Sequence, residues 1–304
     1  MTQQQLNTMQ QQYKLSAIES DDIYTKDIIT GYLYKSQSTV APKAFILGGQ
    51  PGCGKTNLRN AIQDEIGEEG AVVINFDALR AEHPSFDNLQ ITNFQHAPSI
   101  VDLDATLWLG RLFEDAMEAK KNIVFDQTLG SPISVINTTM QKLKNAGYEV
   151  TVCMLAIPPL ISQLQIYKRY EEQVKQNGMG RFVQKGKHDE VVDNTNTNIQ
   201  AIQSDKIADT IRIYGRAYQP DETTTTIAIQ LLPIYESQQI NKQWSNSLNP
   251  STPLQTERNR PFYTGEKQYI KDLLANTVSL IEKRKGDVSI FSEEVNMPFI
   301  TSVT

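Results

Sequence analysis

Ala44-Phe45-Ile46-Leu47-Gly48-Gly49-Gln50-Pro51-Gly52-Cys53-Gly54-Lys55-Thr56 decides the fold. An apolar run ends in glycines, and a helix is expected to begin at Lys55. From Gly49 to Thr56 the residues fit G-x-x-x-x-G-K-[ST], the pattern of a phosphate-cradling loop between a strand and a helix. Glycines let backbone N–H groups turn inward around phosphate oxygens without a Cβ in the way. The helix that follows points its positive dipole end at the same oxygens. In this reading Gly49, Gln50, Pro51, Gly52, Cys53, Gly54, Lys55 and Thr56 bind the nucleotide. Lys55 reaches the terminal phosphates and the Thr56 hydroxyl ligates Mg²⁺. The loop implies ATP, with GTP as the alternative, and leaves the phosphate acceptor open.

Composition narrows the class. The chain has 304 residues, 39% hydrophobic and 21% charged, enough to bury a sizeable core. A net charge of −6 argues against an extended nucleic-acid surface, so no nucleic-acid partner is expected. Cys53 and Cys153 stand far apart, one in the loop and one in an apolar run, which is no disulfide framework and suits a reducing cytoplasm. No apolar run reaches membrane-spanning length, and the glutamine-rich start is unlike a secretory signal.

Outward from the loop, strands and helices alternate. A strand over Lys43–Leu47 leads in, and a helix from Lys55 to about Ile66 is stopped by Gly67–Gly70. Ala71–Ile74 reads as a buried parallel strand leading to Asn75-Phe76-Asp77. An irregular segment is expected through Pro98, then a helix over about Leu103–Ala119 with Leu103, Leu107, Leu112, Phe113 and Met117 as its apolar stripe. Ile123-Val124-Phe125 is a strand ending on Asp126. A helix over Ile133–Asn145, a strand over Val150–Ile157 and a polar helix over Leu160–Lys175 follow. Asn177–His188 is a basic, glycine-containing stretch before a helix over Asp189–Gln203. Thr210–Tyr214 is the last core strand and Thr226–Leu232 an edge strand. Ser237–Thr264 is polar with little periodicity, and a helix returns over Glu266–Lys283. Ahead of the loop, Thr2–Thr30 reads as two helical pieces broken at Ser20-Asp21-Asp22, with Leu15, Ile18, Ile23, Ile28 and Ile29 as the apolar face.

This alternation predicts an α/β fold, a parallel sheet of the P-loop NTPase or kinase type with helices on both faces. The expected organisation is a helical segment 1–40, a core 41–233 with a basic lid at about 168–190, and a C-terminal extension 234–304. Ligands on such sheets bind at the carboxyl ends of strands. That rule collects Gly49–Thr56, Asp77, Asp126 and Ile157–Pro159 along one edge.

Three features can carry chemistry beyond the loop. Asp77 is either a general base for an attacking hydroxyl or a helix N-cap. Asp126, at the end of an apolar strand, suits Mg²⁺ together with Thr56, or else a cap or turn. The stretch from Lys168 and Arg169 through Arg181, Lys185, Lys187 and His188 is either a closing lid that neutralises phosphoryl charge or a solvated helix face with pairs such as Lys168–Glu172.

Gly48–Thr56, entered from Pro42-Lys43-Ala44-Phe45, resembles the phosphate loop of zeta toxins, the toxin kinases of bacterial epsilon/zeta toxin–antitoxin systems. Asn75-Phe76-Asp77 with His83-Pro84-Ser85-Phe86 is similar to that family's second motif. Arg169-Tyr170-Glu171 and Arg181 resemble its two lid arginines, His188-Asp189 recurs there, and Asp126 and Thr128 sit where the family has an acid and a threonine. The resemblance runs over about Pro42–Tyr214. It implies a kinase using ATP and Mg²⁺ to phosphorylate a sugar hydroxyl of UDP-N-acetylglucosamine or a related UDP-sugar, and so to poison cell-wall synthesis. It implies Asp77 as base, Lys55, Arg169 and Arg181 on the phosphates, Phe76, Asp77 and Thr128 at the substrate, and a small helical epsilon-type antitoxin as partner, all cytoplasmic with no membrane contact. The sequence departs from the family twice. Leu129-Gly130 follow Thr128 where glycine and arginine are usual, and Gly110 stands where a glutamate is usual, with Asp104 and Glu114 as the nearby acids. The rival readings are a P-loop kinase for another small molecule or a nucleic-acid end, and a nucleotide-dependent binding module.

Overall fold

The apolar run before the phosphate loop folds as a strand whose residues are buried from its second position to its last, as a strand with neighbours on both sides requires. The computed structural model describes residues 1–93, 96–220 and 227–295. In chain order the elements are α1 (Gln3–Tyr13), α2 (Ala17–Ile23), a π-helical segment (Tyr24–Leu33), β1 (Lys43–Gly48), α3 (Lys55–Ile66), β2 (Val72–Asn75), α4 (Phe76–Ala81), α5 (Phe86–Thr92), α6 (Ala97–Ile100), α7 (Asp102–Glu118), β3 (Ile123–Asp126), α8 (Ile133–Asn145), β4 (Glu149–Leu155), α9 (Pro159–Asn177), α10 (Lys185–Asp205), β5 (Thr210–Pro220), β6 (Ile227–Ile240), β7 (Gln243–Trp244), α11 (Ser251–Asn259), α12 (Thr264–Lys283) and α13 (Val288–Glu294).

The fold is mixed α/β, with one seven-stranded sheet in the order β2-β3-β1-β4-β5-β6-β7 flanked by helices. β2 pairs with β3 and β4 with β5 in parallel, whereas β6 returns antiparallel along β5. β5 runs well past the expected Tyr214. β6 runs through Pro233, and there the register slips: Ile213 faces Tyr235 while Tyr214 faces Pro233. Proline has no N–H for the ladder, and a bulge is where a strand tolerates it. Ser237–Thr264 is therefore not irregular throughout: it holds the end of β6, β7 and α11. Thr226, the expected start of the edge strand, lies outside the described residues.

The chain divides into two compact units, one of Met1–Ile46, Arg59–Gln127 and Lys142–Val150, the other of Leu47–Leu58, Thr128–Gln141 and Thr151–Thr304. In the first, the N-terminal helices belong to the core. Leu6, Met9 and Tyr13 of α1 pack on Leu89, Ala97, Ile100 and Val101. The segment expected to be irregular through Pro98 thus contains α4, α5 and α6. The helical break falls at Lys14–Ser16, because Ser16 caps α2 with its side chain. Ser20, expected at the break, instead accepts the Trp108 indole N–H at 2.9 Å. Ile18 is 79% exposed and is no part of the apolar face. Leu112, Phe113 and Met117 of the expected α7 stripe are buried, but one turn earlier Trp108 takes the place expected of Leu107: Trp108 is wholly buried and Leu107 is 53% exposed. Tyr24, Ile28 and Leu33 are buried at spacings of four and five residues, which a π-helical winding brings to one face.

In the second unit, α12 closes on α9 through Glu171, whose buried carboxylate receives Arg284 Nε and Nη2 at 2.5 and 2.7 Å. Phe291 of α13 meets Tyr167 of α9 with ring centres 4.9 Å apart.

Trp108→Ala is expected to lower stability by about 3–5 kcal/mol, through the cavity and the lost indole bond. Leu107→Ala is expected to stay within about 0.5 kcal/mol. Urea unfolding of the two variants checks the phase of the helix.

Candidate functional site

The phosphate loop lies in the second unit. Its glycines are demanded by what packs outside it. Gly52 has φ 77°, and a Cβ there would lie 2.1 Å from the Ser162 carbonyl oxygen. Gly54 also has φ 77°, and its Cβ would lie 2.0 Å from an Arg216 guanidinium nitrogen. Arg216 Nη2 donates to the Cys53 carbonyl at 2.6 Å. A trans peptide points its N–H opposite its C=O, so this bond turns the Gly54 N–H to the other side of the loop. Gln50 is wholly buried: its Nε2 donates to the Ile157 carbonyl at 3.0 Å and its Oε1 accepts from Arg258 Nη2 at 2.8 Å. Pro51 follows at the turn, and the Cys53 amide closes it on the Gln50 carbonyl at 3.1 Å. At the start of α3, Lys55 Nζ donates to the Gly49 carbonyl at 3.0 Å, and Thr56 is exposed on the same turn.

The Gly49 amide donates to the Thr128 carbonyl at 3.1 Å, and the Thr128 hydroxyl accepts from the Gly130 amide at 3.2 Å. Leu129 between them takes φ 57° with a buried side chain. Thr128 thus borders the loop through its backbone.

Behind the loop, His188 is wholly buried, with Nε2 2.7 Å from Ser162 Oγ and Nδ1 2.9 Å from Asp189 Oδ1. Ser162 Oγ donates to the Pro159 carbonyl at 2.8 Å. The ring, with Nε2 on Ser162 and Nδ1 on Asp189, ties α9 to α10.

The basic stretch divides by residue type. Lys185, Lys187 and His188 stand on α10 rather than in a loop, and Lys168, Lys185 and Lys187 pair with Glu172, Asp189 and Glu190 on helix surfaces. Arg169 is exposed on α9. Arg181 follows Gly180 in the 178–184 connection, its amide donating to Gln173 Oε1 at 2.7 Å. Phe182 beside it packs on Tyr167 and Tyr170, with ring centres 4.9 and 5.6 Å apart.

Phe76, Asp77 and Asp126 lie in the first unit. Asn75 takes the N-cap of α4, its Oδ1 accepting the Ala78 amide at 3.0 Å. The cap reading of Asp77 is thereby replaced: Asp77 sits in the first turn, half exposed. Its Oδ1 accepts from Arg80 Nη1 at 2.6 Å, while Arg80 Nε donates to Asp102 at 2.7 Å and the guanidinium lies 4.1 Å over the Phe76 ring. Asn75 Nδ2 also donates to Asp126 Oδ2 at 2.9 Å, and Arg59 Nη1 stands 3.6 Å from the same oxygen. A hydroxyl such as that of Thr56 and a carboxylate such as that of Asp126 are each hard oxygen donors of the kind Mg²⁺ takes.

Of the two acids near Gly110, Asp104 is buried and accepts the Leu15 amide at 3.2 Å, and Glu114 pairs with Lys142 at 2.8 Å. Both are engaged in holding the first unit together. The sequence reading missed Arg80, Arg216 and Arg258. Arg80 had a signal, its i,i+3 spacing from Asp77. The two buried arginines had none.

A protein-family profile described as zeta toxin matches residues 29–231. Toxin zeta of Streptococcus pyogenes is 32% identical over 177 residues, 58% of this chain, and the chain spans 61% of that relative's length. Toxin PezT of Streptococcus pneumoniae is 31% identical over 214 residues, 68% of this chain and 84% of that protein. A solved structure from the PezAT chromosomal toxin–antitoxin system of Streptococcus pneumoniae has a TM-score of 0.73 at 23% identity, covering 89% of this chain and 99% of that one, and shows the shared fold. Among the described residues no helix is long and apolar enough to cross a membrane.

Burial holds His188 and His83 below the ordinary imidazole value of about 6.5. Unfolding frees both to take up protons, so stability is lost as pH falls below that value. The urea midpoint is expected to drop between about pH 7.5 and about pH 5.5, and to drop less when His83 and His188 are both glutamine.

Proposed function

The chain belongs to the zeta toxin family, and on that premise we propose that it is a kinase that transfers the γ-phosphate of ATP to a sugar hydroxyl of UDP-N-acetylglucosamine or a related UDP-sugar. The observation that carries the proposal is the phosphate loop: left-handed Gly52 and Gly54, a pinned Cys53 carbonyl, and Lys55 on the first turn of α3. Nucleoside triphosphate is the ligand such a loop is built to hold.

The proposed roles follow from the chemistry of each side chain. The loop amides and Lys55 hold the phosphates, with Lys55 leaving the Gly49 carbonyl to do so. Thr56 and Asp126 would hold Mg²⁺, which would supply positive charge against the phosphates. Asp77 takes the proton from the attacking hydroxyl. Its pairing with Arg80, and the second bond of Arg80 to Asp102, fix where that carboxylate stands. Arg169 and Arg181 stabilise the phosphoryl group in flight. Phe76 and Thr128 border the sugar. The reaction belongs in the cytoplasm, where ATP and UDP-sugars are made. A small helical antitoxin is the proposed partner, supported by the toxin–antitoxin system of the structural relative.

The test is mass spectrometry of UDP-N-acetylglucosamine incubated with protein, ATP and Mg²⁺. One added phosphoryl group, absent with Lys55→Ala, is expected. Reaction of other UDP-sugars alone would keep the kinase and replace the substrate. Binding of ATP with no transfer to any acceptor would favour a nucleotide-dependent binding module. Asp77 is half exposed, so Asp77→Ala is expected to keep the fold and ATP affinity while transfer falls by about 10²-fold or more. Wild-type turnover in that variant would remove Asp77 from the base role.

A further inference from the structure

Arg216 on β5 and Arg258 on α11 are 2% and 3% exposed, and each bonds the phosphate loop, one at the Cys53 carbonyl and the other at Gln50 Oε1. The other partners of Arg258 are neutral: the Val192 carbonyl at 3.1 Å, Asn196 Oδ1 at 2.9 Å and Thr195 Oγ1 at 3.0 Å. Among the described residues neither guanidinium forms an ion pair within 4.0 Å, and the Nε of each is buried without a hydrogen-bond partner. Two nearby arginines are treated differently. Arg260 lies between Glu257 and Glu266 at 2.8 and 2.6 Å, and Arg284 lies on Glu171 at 2.5 Å.

An unpaired buried charge is costly, because the lost hydration is not replaced by a counter-ion. Burial pushes Arg258 down to about 10, with Asp193 acting on it only through space, so it stays charged at neutral pH. A guanidinium offers more donors than any neutral side chain, so the bonds account for arginine itself, and it is the missing counter-ion that they leave unexplained. A retained charge calls for an anion that arrives later, and the loop between these arginines is a polyphosphate cradle.

We infer that Arg216 and Arg258 form a buried cationic floor to the phosphate loop whose countercharge is the polyphosphate of a bound nucleotide, and that α11, outside the 29–231 family match, is therefore part of the nucleotide site. The inference rests on the nucleotide-binding reading above. Both arginines act through the loop and are positioning residues. Their charge favours the complex over the empty protein, so removing it weakens ligand binding beyond any loss of stability.

The experiment is thermal melting and calorimetric titration with a non-hydrolysable ATP analogue and with inorganic tripolyphosphate, on the full chain and on Arg216→Gln, Arg258→Gln and Arg258→Lys. Wild type is expected to bind both ligands. The two Gln variants lose donors to buried acceptors and are expected to melt lower when empty, and to bind both ligands about tenfold or more weakly. Arg258→Lys, which keeps the charge, is expected to stay within about threefold of wild type. A Gln variant whose melting temperature rises with ligand as much as that of wild type overturns the inference, because the arginine is then an ordinary pin. Unchanged affinity overturns it too, as does an Arg258→Lys that binds no better than Arg258→Gln. A wild type that binds neither ligand removes the nucleotide reading itself, which is a separate result from any difference among the variants.

Discussion

The Cys53–Gly54 peptide is held from outside the loop by a buried guanidinium, and much else follows from that bond. Pinning the carbonyl orients the neighbouring amide, and the approach of Arg216 leaves room only for glycine at position 54. The Ser162 carbonyl does the same at Gly52, and Gln50 spans from the Ile157 carbonyl to Arg258. The loop is thus set in shape before any phosphate arrives. Preorganisation of this kind spares the ordering cost at binding and is how fixed amide dipoles contribute most to phosphoryl transfer. His188 extends the same support one layer back: wholly buried, it bonds through Nε2 to Ser162, whose carbonyl leaves no room for a Cβ at Gly52.

The first unit solves a different problem, holding a half-exposed carboxylate in one place. Asn75 caps the short α4 and frees Asp77 from that task. Arg80 then ties Asp77 to Asp102 at the start of α7. Further along the same chain segment, His83 contacts the Tyr13 carbonyl at 3.2 Å and Asp104 receives the Leu15 amide. The N-terminal helices are therefore joined by polar contacts as well as apolar ones to the segment carrying Asp77. Each of these groups is costly to leave unpaired once buried, which makes such a network cooperative.

The departures from the family acquire physical content here. Where the family carries an arginine, Gly130 donates its amide to Thr128 and a Cβ at that position would lie 3.1 Å from Val191. Asp104 and Glu114 each have structural partners. Two arginines that reach the phosphate loop, Arg216 on β5 and Arg258 on α11, lie after Tyr214, outside the motifs in which the sequence resembles zeta toxins.

The sequence by itself determined the phosphate loop, the strands that flank it, the helix after Lys55, and the pairing of Lys168 with Glu172, because glycine conformation, unbroken apolar runs and i,i+4 spacing are local properties. It also carried the α/β class and the family resemblance. Tertiary structure alone decided which residue of α7 faces inward, since Leu107 and Trp108 are both apolar and only the acceptor at Ser20 selects the indole. It decided that Asn75 rather than Asp77 caps α4, and that β6 continues through Pro233 by slipping its register. Above all it decided Arg216 and Arg258. Their partners lie 163 and 208 residues away in the chain, and a buried charge is recognisable only from the atoms that surround it.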